Sequence, residues 1–194
     1  MLPIHRRPGE LTRGKRLVAA KKGVAIFLGI WGLLIGLFLN PVIARAECQG
    51  VTSVFDDGIP LNVRIYCEVI GSEKNICPEI LESIAYRESR YTIDAVNGDY
   101  KGLMQVNVVI HKDRLTKYGY TVSDMTNSAY ANIQVAADYL AELYETYGDD
   151  NPIVLSVYSG NWKAVSDYKE YGWLCPYVED VLTRSAEIER VHGK

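Results

Sequence analysis

In the stretch SIAYRESRY, residues 83–91, Glu88 falls four residues after Ile84, and Ile84 falls four after Ile80. On an α-helix that spacing stacks the three side chains along one face. Leu81 and Ala85 widen the apolar stripe, while Glu79, Glu82, Arg87 and Arg90 fall on the polar side. A carboxyl ending such a stripe loses water, which disfavours its charged form and raises its pKa. An acid of this kind keeps its proton near neutral pH and can give it to a leaving oxygen, the step that opens a glycosidic bond. The same spacing also suits a structural carboxylate paired with Arg87, Arg90 or a distant cation, so periodicity leaves both roles open.

The element carrying Glu88 is predicted as a helix over 78–91, opened by Pro78. A preceding helix over 59–71 is read from Pro60 in its first turn, from Ile65, Tyr66, Val69 and Ile70 on one side, and from Gly71 at its C-terminal end. Residues 92–107 break the helical pattern, and Val96-Asn97-Gly98-Asp99 signals a turn, so a short hairpin or irregular loop is expected there. A long helix follows over 128–147, with Ile133, Ala136, Ala137, Leu140, Leu143 and Tyr144 as its stripe and Gly148 at its end. Asn151-Pro152 reads as a cap with proline at the first helical position, opening a short helix to about Tyr158. Pro176 opens a last helix with Val178, Val181 and Leu182 facing inward. The sum is a mostly α domain, α+β only through one small irregular or hairpin lobe.

The ends of the chain differ in character. Residues 1–23 carry seven Arg and Lys against Glu10, and residues 24–39 are an apolar run of 16 without charge. Asn40-Pro41 and the Ala44-Arg45-Ala46 site follow. This is the order of a secretory signal peptide, with cleavage expected after Ala46. An uncleaved anchor is the alternative, although a spanning helix needs roughly 20 apolar residues. The expected organisation is a leader over 1–46, a linker over 47–58 and one domain over 59–194, exported to the cell envelope or beyond. Removing residues 1–46 takes away eight Arg and Lys and one Glu, which leaves 13 basic against 23 acidic residues and a net charge of −10. That balance excludes binding driven by nucleic-acid phosphates.

Cys48, Cys67, Cys77 and Cys175 all follow the leader. An even count in an oxidising compartment predicts two disulfides, with three pairings open. The spacings do not suit zinc, and only His111 and His192 remain as histidines, so no metal and no cofactor is expected.

The segment AYRESRYTIDAVNGDYKGLMQVN, residues 85–107, resembles the active-site block of lytic transglycosylases with the goose-type lysozyme-like fold. Glu88-Ser89 matches the family's Glu-Ser at a helix end, and Gly102-Leu103-Met104-Gln105 matches its Gly-Leu-Met-Gln motif. Further on, ANIQVAADYLAELYETYGD (131–149), VLSVYSGN (154–161) and PYVEDVL (176–182) resemble later family blocks in the family's order. The resemblance implies a soluble lytic transglycosylase with Glu88 as its sole acid and base. It implies a cleft contacted by Ser89, Gly102, Met104, Gln105, Tyr158 and Tyr177. Gly102 would let backbone approach the sugar, Met104 would form an apolar wall, Gln105 would bond sugar groups, and the tyrosines would contact sugar or hold the acid. The substrate implied is the peptidoglycan glycan strand, cut between N-acetylmuramic acid and N-acetylglucosamine. The context implied is a conjugation or secretion apparatus. Two departures stand out. Ser159 replaces the family's Asn, and Trp173-Leu174-Cys175-Pro176 replaces a Glu-Thr before the final Tyr-Val; Cys77 with Cys175 is one of the pairings left open, and it would tie the start of the Glu88 helix to the start of the last one.

Two mechanisms share such a cleft. A retaining hydrolase needs a second carboxylate about 5 Å from the first. Asp99 is the candidate second carboxylate, for a retaining or an inverting hydrolase alike, and Asp94 the weaker one, although Asp beside Asn97-Gly98 is also an ordinary turn residue. A lytic transglycosylase needs no second acid, and the favoured reading is that one. A non-catalytic wall-binding assembly protein is the reading from another class.

Overall fold

The computed structural model describes residues 58–194; the expected leader, most of the linker and Cys48 lie outside the described residues. Helix α1 spans Leu61–Lys74, α2 Pro78–Ser89, α3 Lys112–Tyr118, α4 Asp124–Asn127, α5 Ala129–Tyr147, α6 Asn151–Tyr158, α7 Trp162–Tyr171 and α8 Pro176–Val191. Between α2 and α3 lies a small antiparallel sheet in the order β1-β2-β3, made of Val96–Asn97, Tyr100–Lys101 and Val106–Asn107. Asn97 pairs with Tyr100 around the Gly98-Asp99 turn, and Tyr100 pairs in turn with Asn107. This is the small lobe the turn signal announced.

Helix α1 runs past Gly71 and ends at Asn75, which adopts the left-handed conformation with φ 55°. Gly71 is buried instead of terminal: a Cβ there would stand 2.7 Å from the Ile76 carbonyl oxygen, where the chain folds back before α2. The buried face of α1 is Val63, Cys67, Ile70 and Gly71, and Ile65 and Val69 face solvent. The apolar pattern misplaced that face because Cys67 and Gly71 belong to it and neither stands out as hydrophobic. The cap of α6 also shifts by one residue, since Asp150 accepts from the Ile153 amide at 3.2 Å. Helices α3, α4 and α7 went unpredicted. Each buries one or two apolar side chains, such as Leu115 or Ala164 with Val165, too few for a visible stripe.

Helix α5 is the spine that positions the rest. Its stripe, with Ile133, Ala137 and Leu140 fully buried, packs against α1, and α2 packs against α8. Asp138 on α5 anchors neighbouring elements by accepting from Lys74 (2.8 Å), Arg114 (2.7 Å), Lys117 (2.9 Å) and the Tyr118 hydroxyl (2.6 Å). Burial pushes this carboxyl up, but those four donors together hold it well below the usual carboxylate range.

The polar face expected for α2 is half wrong. Glu79 and Glu82 are buried, because α1 and α8 both pack against this helix and the chain's C-terminal end closes over Glu79. Glu79 accepts from Lys194 at 2.5 Å and from the Cys77 thiol at 3.0 Å. Burial opposes its ionisation, yet these donors hold it at about 2. Cys77 is accordingly pushed up to about 12, first by its own burial and then by that hydrogen bond. Among the described residues Cys67, Cys77 and Cys175 are free thiols, so no disulfide joins any of them, in contrast to the two expected and to the Cys77–Cys175 pairing among the open ones. Cys77 is engaged with Glu79, and Cys67 is sealed in the core as a small apolar side chain.

Candidate active site

Helix α2 stops one residue after Glu88. Arg90 and Tyr91 both turn left-handed (φ 55° and 63°), and their amides close on the carbonyls of Tyr86 and Ala85. The helix end therefore presents Glu88 at the edge of its buried stripe, in a cleft of about 440 Å³. Gln105, Asn97, Tyr100 and Asn107 line one side of it, from the hairpin lobe. Tyr139 from α5, Tyr158 at the end of α6 with Ser159 just after it, and Trp162 from α7 line the other, with His111 before α3.

Glu88 Oε1 accepts from the Tyr177 hydroxyl at 2.7 Å, a bond from α8 across to α2. Burial raises the Glu88 pKa, and the Tyr177 hydrogen bond and the Arg87 guanidinium offset part of that rise. Arg87 is itself held by Asp180 at 3.1 Å and lies over the Tyr177 ring. The result is a carboxyl biased toward its protonated form and fixed in orientation by one donor.

The Gly-Leu-Met-Gln segment is tied from three sides. Ser89 Oγ donates to the Leu103 carbonyl at 2.8 Å and receives the Thr92 amide at 3.1 Å. The Tyr158 hydroxyl donates to the Met104 carbonyl at 3.0 Å. Asn132 on α5, fully buried, accepts from the Met104 amide at 2.7 Å and donates to the carbonyls of Lys101 and Met125, both at 2.9 Å. These bonds satisfy backbone groups that an irregular buried loop would otherwise leave bare.

Several expected contacts therefore change place. Met104 is fully buried in the core and forms no wall of the cleft. Gly102, with φ 75°, exists for contact with α5: a Cβ there would overlap Asn132 Nδ2 and the Met125 carbonyl oxygen, not a sugar. Ser89 braces the loop from behind the cleft. Gln105 and Tyr158 do line the cleft, and Tyr177 touches it through Glu88. Gln105 Nε2 turns back to the Gly102 carbonyl at 2.9 Å. Asp99 and Asp94 are exposed and outside the lining.

Sequence reasoning missed His111, Tyr139, Trp162, Asn97, Tyr100 and Asn107. Tyr139 had a signal, since it follows Ala136 by three residues and so shares the face of α5 that both present to the cleft. Trp162 and His111 had none, because the helices they begin were invisible in the apolar pattern.

The family model described as Transglycosylase SLT domain matches residues 66–172. An X polypeptide of Escherichia coli is 30% identical over 144 residues, which is 71% of this chain and 68% of that one. Another X polypeptide, from strain K12, is 31% identical over 106 residues, 52% of this chain and 56% of that one. Among solved structures, an inactive mutant of the lytic transglycosylase Slt from Pseudomonas aeruginosa superposes with a TM-score of 0.60 at 15% identity. It covers 84% of this chain, which spans 29% of Slt. That likeness is one of fold.

Proposed function

The chain belongs to the transglycosylase SLT domain family and carries that family's lytic transglycosylase domain, and from this premise we propose that it cuts peptidoglycan strands with Glu88 as sole acid and base. The bond is the β-1,4 linkage from N-acetylmuramic acid to N-acetylglucosamine. Protonated Glu88 gives its proton to the bridging oxygen as the bond to C1 breaks. The substrate's own N-acetyl oxygen stabilises the charge left at C1. The Glu88 carboxylate then takes the proton of the C6 hydroxyl as that oxygen bonds to C1. A 1,6-anhydro end forms, no water is consumed, and the acid is restored.

One observation carries this reading over a hydrolase: among the described residues lining the cleft, Glu88 is the sole carboxylate. A retaining hydrolase would need a second one about 5 Å away. Mass spectrometry of the products tests it. Anhydro ends lighter by one water than hydrolysed ends are expected, and hydrolysed ends would return the role to Asp99 or to a bound water. We further propose that the protein works outside the cytoplasmic membrane, where this substrate lies, and opens the wall for a conjugation or secretion apparatus.

Tyr177→Phe separates positioning from acidity. The Tyr177 hydrogen bond stabilises the Glu88 carboxylate, so its loss lifts an already raised pKa further. Cleavage needs the protonated form and fades as pH rises through that pKa. The alkaline limb of the pH–rate profile is therefore expected to move upward in the variant, while the maximal rate falls through looser orientation. A limb that stays in place would show that Tyr177 does not set the acidity.

A further inference from the structure

His111 stands where the cleft meets a neighbouring cavity of about 450 Å³, the two sharing Ile110, His111 and Tyr139 as their common wall. Its ring packs on Tyr139 with centroids 4.5 Å apart, and Tyr139 packs on Tyr158 at 5.8 Å. Tyr158 is in turn fastened to the Met104 carbonyl. The imidazole is thus fixed in a tier of rings anchored to the loop beside Glu88. Among the described residues no hydrogen bond is made by either of its ring nitrogens. A half-buried polar ring, rigidly held and open to a cleft, has its hydrogen-bonding capacity left for whatever enters.

We propose that His111 is a substrate-binding residue that hydrogen-bonds a hydroxyl or acetamide of the glycan strand, at a sugar position on the side of the cleft toward the adjoining cavity. This rests on the reading of the cleft as a glycan site and deepens it. Burial, with the Arg114 charge beside it, holds the imidazole at about 4, so it is neutral at ordinary pH. A neutral imidazole offers one donor and one acceptor, which matches an uncharged sugar. The cleft around it agrees, being lined by the amides Asn97, Gln105 and Asn107 and by rings, surfaces that bind neutral polyols and not ions.

The test is the affinity of a peptide-free β-1,4 N-acetylglucosamine oligomer for the full chain carrying Glu88→Gln, with and without a change at His111. His111→Phe keeps the ring on Tyr139 and removes both nitrogens. A five- to tenfold weaker Kd is expected, about the worth of one net hydrogen bond. His111→Gln is expected to recover part of it, and Tm identifies any loss of fold. Unchanged affinity in His111→Phe overturns the proposal, as does equal weakening by both variants with a lowered Tm, which would make the ring mere packing. An oligomer that fails to bind the Glu88→Gln chain overturns it too. If His111→Phe weakens binding and His111→Gln recovers part of it but wild type yields no anhydro ends, the catalytic reading fails and the His111 contact stands.

Discussion

Glu88→Gln is expected to abolish measurable clearing of purified cell walls, a fall of about 10³-fold or more given what a positioned general acid contributes. The amide keeps the shape of the side chain and can still accept from the Tyr177 hydroxyl, but it has no proton to give. Stability should move the other way. The folded chain raises the Glu88 pKa, so it binds that proton more tightly than the unfolded chain does. The stability linked to this group is complete below the unfolded pKa and is lost as pH rises through the folded one. Above the unfolded pKa the wild type therefore either buries a disfavoured charge or takes up a proton on folding, a cost the amide does not carry. The variant is expected to melt at or above the wild-type Tm near pH 7, the gap closing as pH falls into the ordinary carboxylate range. Turbidity and thermal unfolding on the same samples check both halves. A variant that still clears walls would remove Glu88 from the chemistry. Wall binding without clearing by wild type as well would favour the assembly-protein reading.

Gly102→Ala carries the second large effect. Its backbone sits at φ 75°, a region that costs a side chain of the L form on the order of 1–3 kcal/mol. The added methyl also overlaps a backbone carbonyl, that of Met125, and the buried amide of Asn132. Neither can step aside, because Asn132 is held by three hydrogen bonds. A loss of roughly 3 kcal/mol or more is expected, which for a domain of this size lowers Tm by about 10 °C. Activity should fall even below that Tm, since the displaced loop carries Gln105 and the carbonyl that holds Tyr158. A Gly102→Ala protein with unchanged Tm would show that the loop has room to relax.

The two variants separate what was legible from what was not. The stripe Ile80, Ile84, Glu88 follows from the fixed geometry of an α-helix, which is why Glu88 could be placed at the end of a buried face without a structure, while its role came from the motif resemblance. The hairpin with its turn residues, α5 with its long apolar stripe, and α8 with its opening proline were readable because their signals are local. Gly102 was noticed as a motif residue, but its purpose was misjudged, because the partner that fills its missing side chain is Asn132, thirty residues away. Met104 was placed on the cleft wall because motif order does not say which way a side chain turns, and here it turns into the core.

Charge was the least legible property. Glu79 looked solvated beside Arg87, yet it is buried under the end of α8 and ionised by donors that arrive from the far end of the chain. Cys77 looked like half of a disulfide and serves that same carboxylate instead. His111 looked idle and borders the cleft.

By itself, then, the chain of residues determined the mostly helical architecture, the helix that bears Glu88 and the family to which the motifs belong. Those depend on covalent spacing and on contacts within a turn or two. Only the tertiary structure decided which surfaces close over which, and so which groups lose water, which tyrosine meets Glu88 and which rings wall the cleft. Desolvation and hydrogen bonding depend on neighbours in space, and the bonds that shape this site join residues up to 89 positions apart.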